Sequence, residues 1–192
     1  MKQLVQSLKN EGTILIDSEV PQVSKGKVLI KTISSLVSTG TEKMLVDFGA
    51  AGYFNKARQQ PDKVKQVIQK IKTDGVAATF DAVKSKLDMP IQLGYCNVGK
   101  VCEVGNGVKG FEVGDIVVSN GSHSEYVLVP ENLCSKVPDS VSTDDAVFTV
   151  LSSIALQGVR LASPSIGETF SVMGLGLVGQ LAVQILLANG CK

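Results

Sequence analysis

Near the end of the sequence, Gly174-Leu175-Gly176-Leu177-Val178-Gly179 stands between an apolar run, "TFSVM", and a helical run from about 177 to 189 that ends at Gly190. Few short segments restrict a fold as tightly. In a G-x-G-x-x-G turn between strand and helix, the first glycine allows a tight turn and the second lets backbone approach a pyrophosphate. The third lets the helix pack close to its strand. The phosphates then face the unpaired N–H groups at the helix start. Gly174, Gly176, Leu177, Val178 and Gly179 are therefore the candidate cofactor-binding residues. A glycine-rich core turn is the other account of the same letters. The acid that holds the ribose is expected roughly 20 residues past the first glycine, beyond Lys192. A doubly wound sheet needs several parallel strands and the sequence supplies one, so the chain is expected to be the front part of a longer protein.

The rest divides by pattern. Residues 1–40 read as strands: "QLVQSLK" and "TILIDS" flank the turn "NEG", and "KVLIKTI" follows a link punctuated by Pro and Gly. Residues 93–136 are again short β-branched runs separated by Gly, Asn and Ser, the pattern of a small barrel or partly open sandwich. Between them, Val64, Val67, Ile68 and Ile71 recur at helical spacing, with Pro61 at the start and Gly75 past the end. Val76, Phe80, Val83 and Leu87 suggest a second helix. The two predict a helical hairpin inserted in a β domain. From Ser142 or Thr143, a cap candidate, two acids and an apolar run predict another helix.

Composition excludes several classes. Nineteen basic against eighteen acidic residues, with Arg58 and Arg160 the two arginines, give no electrostatic case for nucleic acid or an anionic membrane. The four cysteines, Cys96, Cys102, Cys134 and Cys191, lack zinc-knuckle spacing, and His123 is the single histidine. The first 16 residues show no secretory leader, so the cysteines read as reduced thiols of a cytoplasmic protein. Residues 169–191 carry no charge, yet glycines and amides interrupt them, which favours a buried strand–turn–helix over a membrane span.

Taken together, "LGYCNVGKVCEVGNGVKGFEVGDIVV", "SEYVLVP", "VPDSVSTDDAVFTVLSSIALQGV" and "GETFSVMGLGLVGQLAVQ" resemble, in order, the medium-chain dehydrogenase/reductases of the zinc-type alcohol dehydrogenase superfamily. The likeness covers about residues 1–43 and 91–192. It implies a mainly β fold with an α insertion (α+β). Residues 1–145 would form a GroES-like, partly open β-barrel catalytic domain with a helical insertion at about 44–90. Residues 146–192 would form a linking helix and the first β-α unit of a Rossmann domain. The inserted segment is similar to that of two-module bacterial oxidoreductases linked to cell-surface polysaccharide synthesis. The implied activity is NAD- or NADP-dependent oxidoreduction of a carbonyl or alcohol on a small-molecule substrate, such as a sugar or nucleotide-sugar. The rest of the same protein would complete the cofactor site, leaving the fragment inactive alone. A homo-oligomer is compatible with this reading.

The sequence departs from the family at the metal. The three zinc-ligand positions fall on Thr39, on Tyr95 and on Leu151 or, with a one-residue slip, Ser152. None offers imidazole or thiolate, so no zinc is expected. Thr41, at the position of a relay hydroxyl, is a candidate to hydrogen-bond substrate, or a turn residue satisfying backbone. Tyr95 is a candidate proton donor, or a packed ring. His123 carries the side-chain type that changes charge near neutral pH and is a candidate acid–base group, or a structural residue. Lys56, Arg58, Lys63, Lys65, Lys70 and Lys72 form a basic helix face that reads as solvated. Cys96 lies beside the candidate site with no feature that would activate it. A second reading is non-catalytic: a GroES-like interaction module whose apolar tail docks on a partner.

Overall fold

The computed structural model describes residues 1–8, 12–50, 58, 61–75, 85 and 89–192. Among these the chain forms two compact units. One holds residues 2–18 and 41–93; the other holds residues 1, 19–40 and 94–192. Each has its own antiparallel sheet, and no closed barrel forms from the described strands.

In the smaller unit, β1 (Lys2–Gln6) pairs β2 (Thr13–Asp17) on one side and β4 (Ile91–Gln92) on the other, giving the order β2-β1-β4. Leu4 pairs Leu15, and Val5 is buried opposite Ile14. Helix α1 (Thr39–Ala50) carries a Lys43–Asp47 ion pair at 2.9 Å, one turn apart. Its Gly49 lies directly on Gln6: a Cβ there would overlap the Gln6 side chain. Gln6 is fully buried and satisfied by Thr13 Oγ1, which donates to its Oε1 at 2.8 Å, and by its own donation to the Ser7 carbonyl. The sequence reading had no helix at 39–50. Helix α2 (Pro61–Asp74) spans the expected residues, and Gly75 follows at φ +84°. The second helix of the expected hairpin, over 76–87, lies outside the described residues apart from Ser85, as do 51–57.

In the larger unit, β3 (Lys27–Ser35), β5 (Asn97–Val104), β6 (Ile116–Ser119), β7 (Tyr126–Pro130) and β8 (Cys134–Lys136) form a sheet of order β7-β3-β5-β6-β8. One face buries Val28, Ile30, Val101, Val117, Val127 and Val129. These stiff β-branched side chains suit a pleated surface, and each contributes about 1.5–3 kcal/mol by leaving water. The other face packs Val98 and Val118 on Ala146 and Val147. Gly99 is obligatory in β5, because a Cβ would strike the Lys31 carbonyl of the neighbouring strand.

The expected helix after residue 142 is divided into α3 (Thr143–Ala146) and α4 (Thr149–Ala162). Ser142 is the cap, its Oγ accepting the Asp145 N–H at 3.1 Å. Helix α4 buries Leu151, Ala155 and Val159, every fourth residue, and packs against α5 (Leu177–Ala188). Val159, Leu186 and Cys191 form their core, with Phe170 and Val172 against it.

One local expectation is corrected. "TFSVM" is not part of a sheet. A strand is defined by its ladder, and among the described residues the backbone bonds at and just before this segment run to Lys192: the Phe170 N–H donates to the Lys192 carbonyl at 2.9 Å, and the Lys192 N–H donates to the Glu168 carbonyl at 2.7 Å. Those two bonds flank residue 169 in the manner of a parallel pair.

Candidate functional site

The glycine turn divides its duties as the motif requires. Gly174 has φ +92°, a conformation that side chains rarely adopt. A Cβ on Gly179 would collide with the Gly174 carbonyl oxygen, so only glycine lets α5 start so close to the preceding segment. At Gly176 a Cβ would meet nothing within 4 Å, so the backbone is open there. Gly176 is also the N-cap of α5 and supplies no side-chain acceptor. The first N–H groups of the helix, on Leu177, Val178 and Gly179, therefore lack a capping side chain. Gln180 closes the turn from behind: its Nε2 donates to the Leu175 carbonyl at 2.8 Å. A helix start with open backbone beside it is a place where a pyrophosphate fits. Gly174, Gly176, Leu177, Val178 and Gly179 are the residues that would hold one.

A second polar region lies at one end of the five-stranded sheet. His123, in the loop between β6 and β7, is 9% exposed, and its Nδ1 is 2.8 Å from Ser35 Oγ. The ring lies against Gly94, where a Cβ would come within 2.7 Å of the imidazole Cγ and Cδ2. Gly94 (φ +89°) turns the chain into half-buried Tyr95 and fully buried Cys96. The Cys96 carbonyl accepts the Leu36 N–H, tying the turn to the end of β3. Tyr95 and His123 are thus joined through Gly94, which the sequence reading did not foresee. Thr41 belongs to the other unit, exposed in the first turn of α1 rather than in a loop turn.

The metal positions can be inspected directly. Thr39 is exposed at the start of α1, Tyr95 is half-buried, Leu151 is buried on the inner face of α4, and Ser152 follows it. Among the described residues, no three His, Cys, Asp or Glu side chains group as metal ligands. This donor set does not fit zinc. Of the basic helix face, the Lys65 side chain is described, exposed and 3.9 Å from Asp62; the side chains of Lys63, Lys70 and Lys72, and all of Lys56, lie outside the described ones. Among the described residues no helix is long and apolar enough to cross a membrane. The four cysteines are free.

Residues 63–139 match the alcohol dehydrogenase GroES-like domain. Over 128 residues the chain is 31% identical to (R,R)-butanediol dehydrogenase of Bacillus subtilis (strain 168), covering 53% of this chain and 37% of that protein. It is 37% identical over 104 residues to D-guloside 3-dehydrogenase of Escherichia coli (strain K12), covering 53% and 30%. Galactitol-1-phosphate dehydrogenase from Escherichia coli superposes with a TM-score of 0.73 at 20% identity, over all of this chain and 54% of that one. An alcohol dehydrogenase from E. coli CFT073, solved with the cofactor NADH, gives 0.73 at 20% identity, over all of this chain and 55% of that one. The matching domain and the relatives named here are those of the medium-chain dehydrogenase/reductases.

The chain spans about a third of the length of these curated relatives and about half that of the solved chains. The GroES-like match begins at Lys63, inside α2, within the segment expected as an insertion.

Proposed function

We propose that the chain carries the GroES-like domain and the phosphate-binding start of a zinc-independent, cytoplasmic NAD(P)-dependent oxidoreductase. Its substrate would be a small carbonyl or alcohol, with a sugar or nucleotide-sugar of surface polysaccharide synthesis as the specific class. The relatives named above, which include sugar-derivative dehydrogenases by name, support the class. The observation that carries the reading is the glycine turn, with Gly174 at positive φ, open backbone at Gly176 and Gly179 closed against Gly174.

A nicotinamide cofactor, when bound, supplies or accepts the hydride. The chain's own residues have other tasks. Leu177, Val178 and Gly179 present N–H groups to the cofactor phosphates. Without a metal, polarising a substrate oxygen falls to hydroxyls and backbone N–H groups. Tyr95 is the proton donor in this reading, and His123 the group that stands behind the Tyr95 turn. Residues beyond this chain would complete the ribose and nicotinamide side, so the 192-residue chain alone is inactive.

Titrating the chain with NADH and NADPH while following amide signals tests this. We expect shifts confined to residues 174–179, with millimolar affinity, abolished in Gly176→Val. Micromolar affinity would show that the chain already holds a complete site. Absence of any shift at 174–179 would remove the phosphate cradle from the proposal.

The exposure of Met173 (96%) and Leu175 (65%) favours the second reading, an interaction module with an apolar tail. In that reading a partner covers this surface and neither nicotinamide cofactor binds.

A further inference from the structure

The two sheets leave four described strands at their edges: β2 and β4 in one, β7 and β8 in the other. An open edge is a row of unpaired N–H and C=O groups, and natural edges are blunted by shortness, lysine or proline. β4 has two residues, β8 has three and includes Lys136, and β7 ends in Pro130. Strand β2 has none of these. It runs for five residues, Thr13-Ile14-Leu15-Ile16-Asp17, and pairs β1 without a register shift.

Which of its groups face outward follows from the ladder. The Ser7 N–H donates to the Gly12 carbonyl at 3.0 Å. Bonded and non-bonded pairs alternate along an antiparallel ladder, so Ile14 and Ile16 bond to β1 and Thr13, Leu15 and Asp17 do not. The far side of β1 agrees: Leu4, opposite Leu15, accepts the Leu93 N–H at 3.2 Å, just past β4. The main-chain groups of Thr13, Leu15 and Asp17 therefore point away from β1. The same three residues are the exposed ones of the strand, Leu15 at 60%.

The symmetry of this edge sets what fits it. Antiparallel pairing of β2 with itself about Leu15 puts Leu15 opposite Leu15 and Thr13 opposite Asp17. In this antiparallel register alone, all three outward residues of one copy meet outward residues of the other, and each pair exchanges both bonds. The side chains match along the same rows. Leu4 and Leu15 meet their counterparts in an apolar row, where cross-strand pairs add to the backbone bonds. Asp17, held by Lys2 at 3.3 Å, comes beside uncharged Thr13, so no like charges oppose each other. An in-register parallel approach would set Asp17 against Asp17.

We propose that β2 is a homodimerisation edge: two copies of the chain join through antiparallel β2 strands, with Leu15 on the two-fold axis, into one continuous sheet. Two five-residue edges bury less than a standard interface, so the dimer is weak and forms in concentrated solution. The inference rests on neither cofactor nor substrate.

Hydrogen exchange resolved by residue tests it. In the monomer the Leu15 amide is open to solvent, whereas β1 protects those of Ile14 and Ile16. Raising the concentration from micromolar to millimolar should slow exchange at Thr13, Leu15 and Asp17 about ten-fold and leave Ile14 and Ile16 unchanged. Leu15→Lys sets two ammonium groups against each other on the axis. The concentration dependence should be lost there, with Ile14 and Ile16 still protected as proof that β2 is in place. Should that variant disturb the strand, Leu15→Pro removes an N–H that β1 does not use, and Thr13 and Asp17 report the same loss. Exchange at Leu15 that is equal at every concentration would overturn the proposal. Uniformly fast exchange means an open edge, and uniformly slow exchange means a segment of the same chain lies on it. A concentration dependence that survives in Leu15→Lys would overturn it as well. Association through other exposed apolar residues leaves the β2 amides unchanged and is not mistaken for this dimer.

Discussion

The glycines of the 174–179 turn make separable demands on a side chain. Gly176→Ala places a methyl group in open space at an ordinary φ of −72°. It costs less than about 1 kcal/mol, the range for replacing glycine at a helix N-cap. Gly179→Ala drives Cβ into the Gly174 carbonyl, and backbone cannot yield as a flexible side chain does, so the expected loss is about 2 kcal/mol or more. Urea unfolding of the two variants measures the difference; equal midpoints would contradict it. This division was legible in the sequence, because the motif assigns each glycine a steric role by position alone. The contact between Ser35 and His123 was not. The two residues are 88 positions apart, and the bulge that β3 makes at Ile33, two residues before Ser35, has no marker of its own in "KVLIKTISS". Tyr95 and Cys96 could be placed near the site by resemblance. That Gly94 must be glycine to admit the imidazole emerges only from the packing.

Among the elements, short-range chemistry was readable and pairing was not. Pro61 and Gly75 bracket α2 as expected, and Ser142 caps α3. Ser142→Ala should cost about 1 kcal/mol, the usual value of an N-cap hydroxyl, and a thermal melt measures it. By contrast, the sequence reading, with Thr41 as a relay hydroxyl or a turn residue, does not expect α1, whereas Glu42 in the first turn and the Lys43–Asp47 pair favour helix. The segment 169–173 is not a strand for the opposite reason: its residues are suitable, but among the described residues Lys192 alone bonds to it. The sheet edge at β8 yields a pH prediction. Lys136 Nζ donates to Asp115 at 2.8 Å, and the Glu112 N–H donates to the same carboxylate at 2.7 Å. These bonds hold the Asp115 carboxyl below its usual pKa, the Lys136 contact first, and the Asp115 contact raises that of Lys136. A carboxylate with a depressed folded pKa adds stability above its unfolded pKa and loses it as pH falls through the folded value. The ammonium with a raised pKa adds stability below its unfolded pKa and loses it as pH rises through the folded value. Asp115→Asn should therefore melt below wild type at pH 7, and the gap should close as pH drops below about 4. A gap that persists unchanged at pH 2.5 would show that the bonds to Asp115 are not the cause.

For the molecule as a whole, the distribution of apolar surface separates one region from the rest. The core of the five-stranded sheet is enclosed, with Val28, Ile30 and Val117 at 0% exposure. Around α4 and α5, Met173 is 96%, Ile166 87%, Leu161 77% and Leu187 58% exposed. Single exposed apolar residues need no explanation, whereas a continuous apolar surface marks an interface, so the test is whether these four residues act as one. An apolar groove of about 230 Å³, lined by Ile154, Phe170, Val178 and Ala182 among others, runs through the same region. The 192-residue chain should consequently bind a hydrophobic dye such as ANS strongly in its folded state, and its elution volume should depend on concentration. The pair Leu161→Ser and Met173→Ser should reduce both effects. Neither residue belongs to the enclosed cores, and each exposes most of its side chain, so the cost to stability stays within about 0.5 kcal/mol. A chain that binds no dye and elutes as a monomer at every concentration would show that the exposed residues do not form a continuous adhesive surface. In that case the tail would not need a partner to be stable, and the interaction-module reading would lose its physical basis. If the dye binds and the double variant suppresses it, the outcome bears on both readings, since each requires protein to cover this face. Nicotinamide titration then separates them, because only the oxidoreductase reading expects phosphate-dependent shifts at Leu177, Val178 and Gly179.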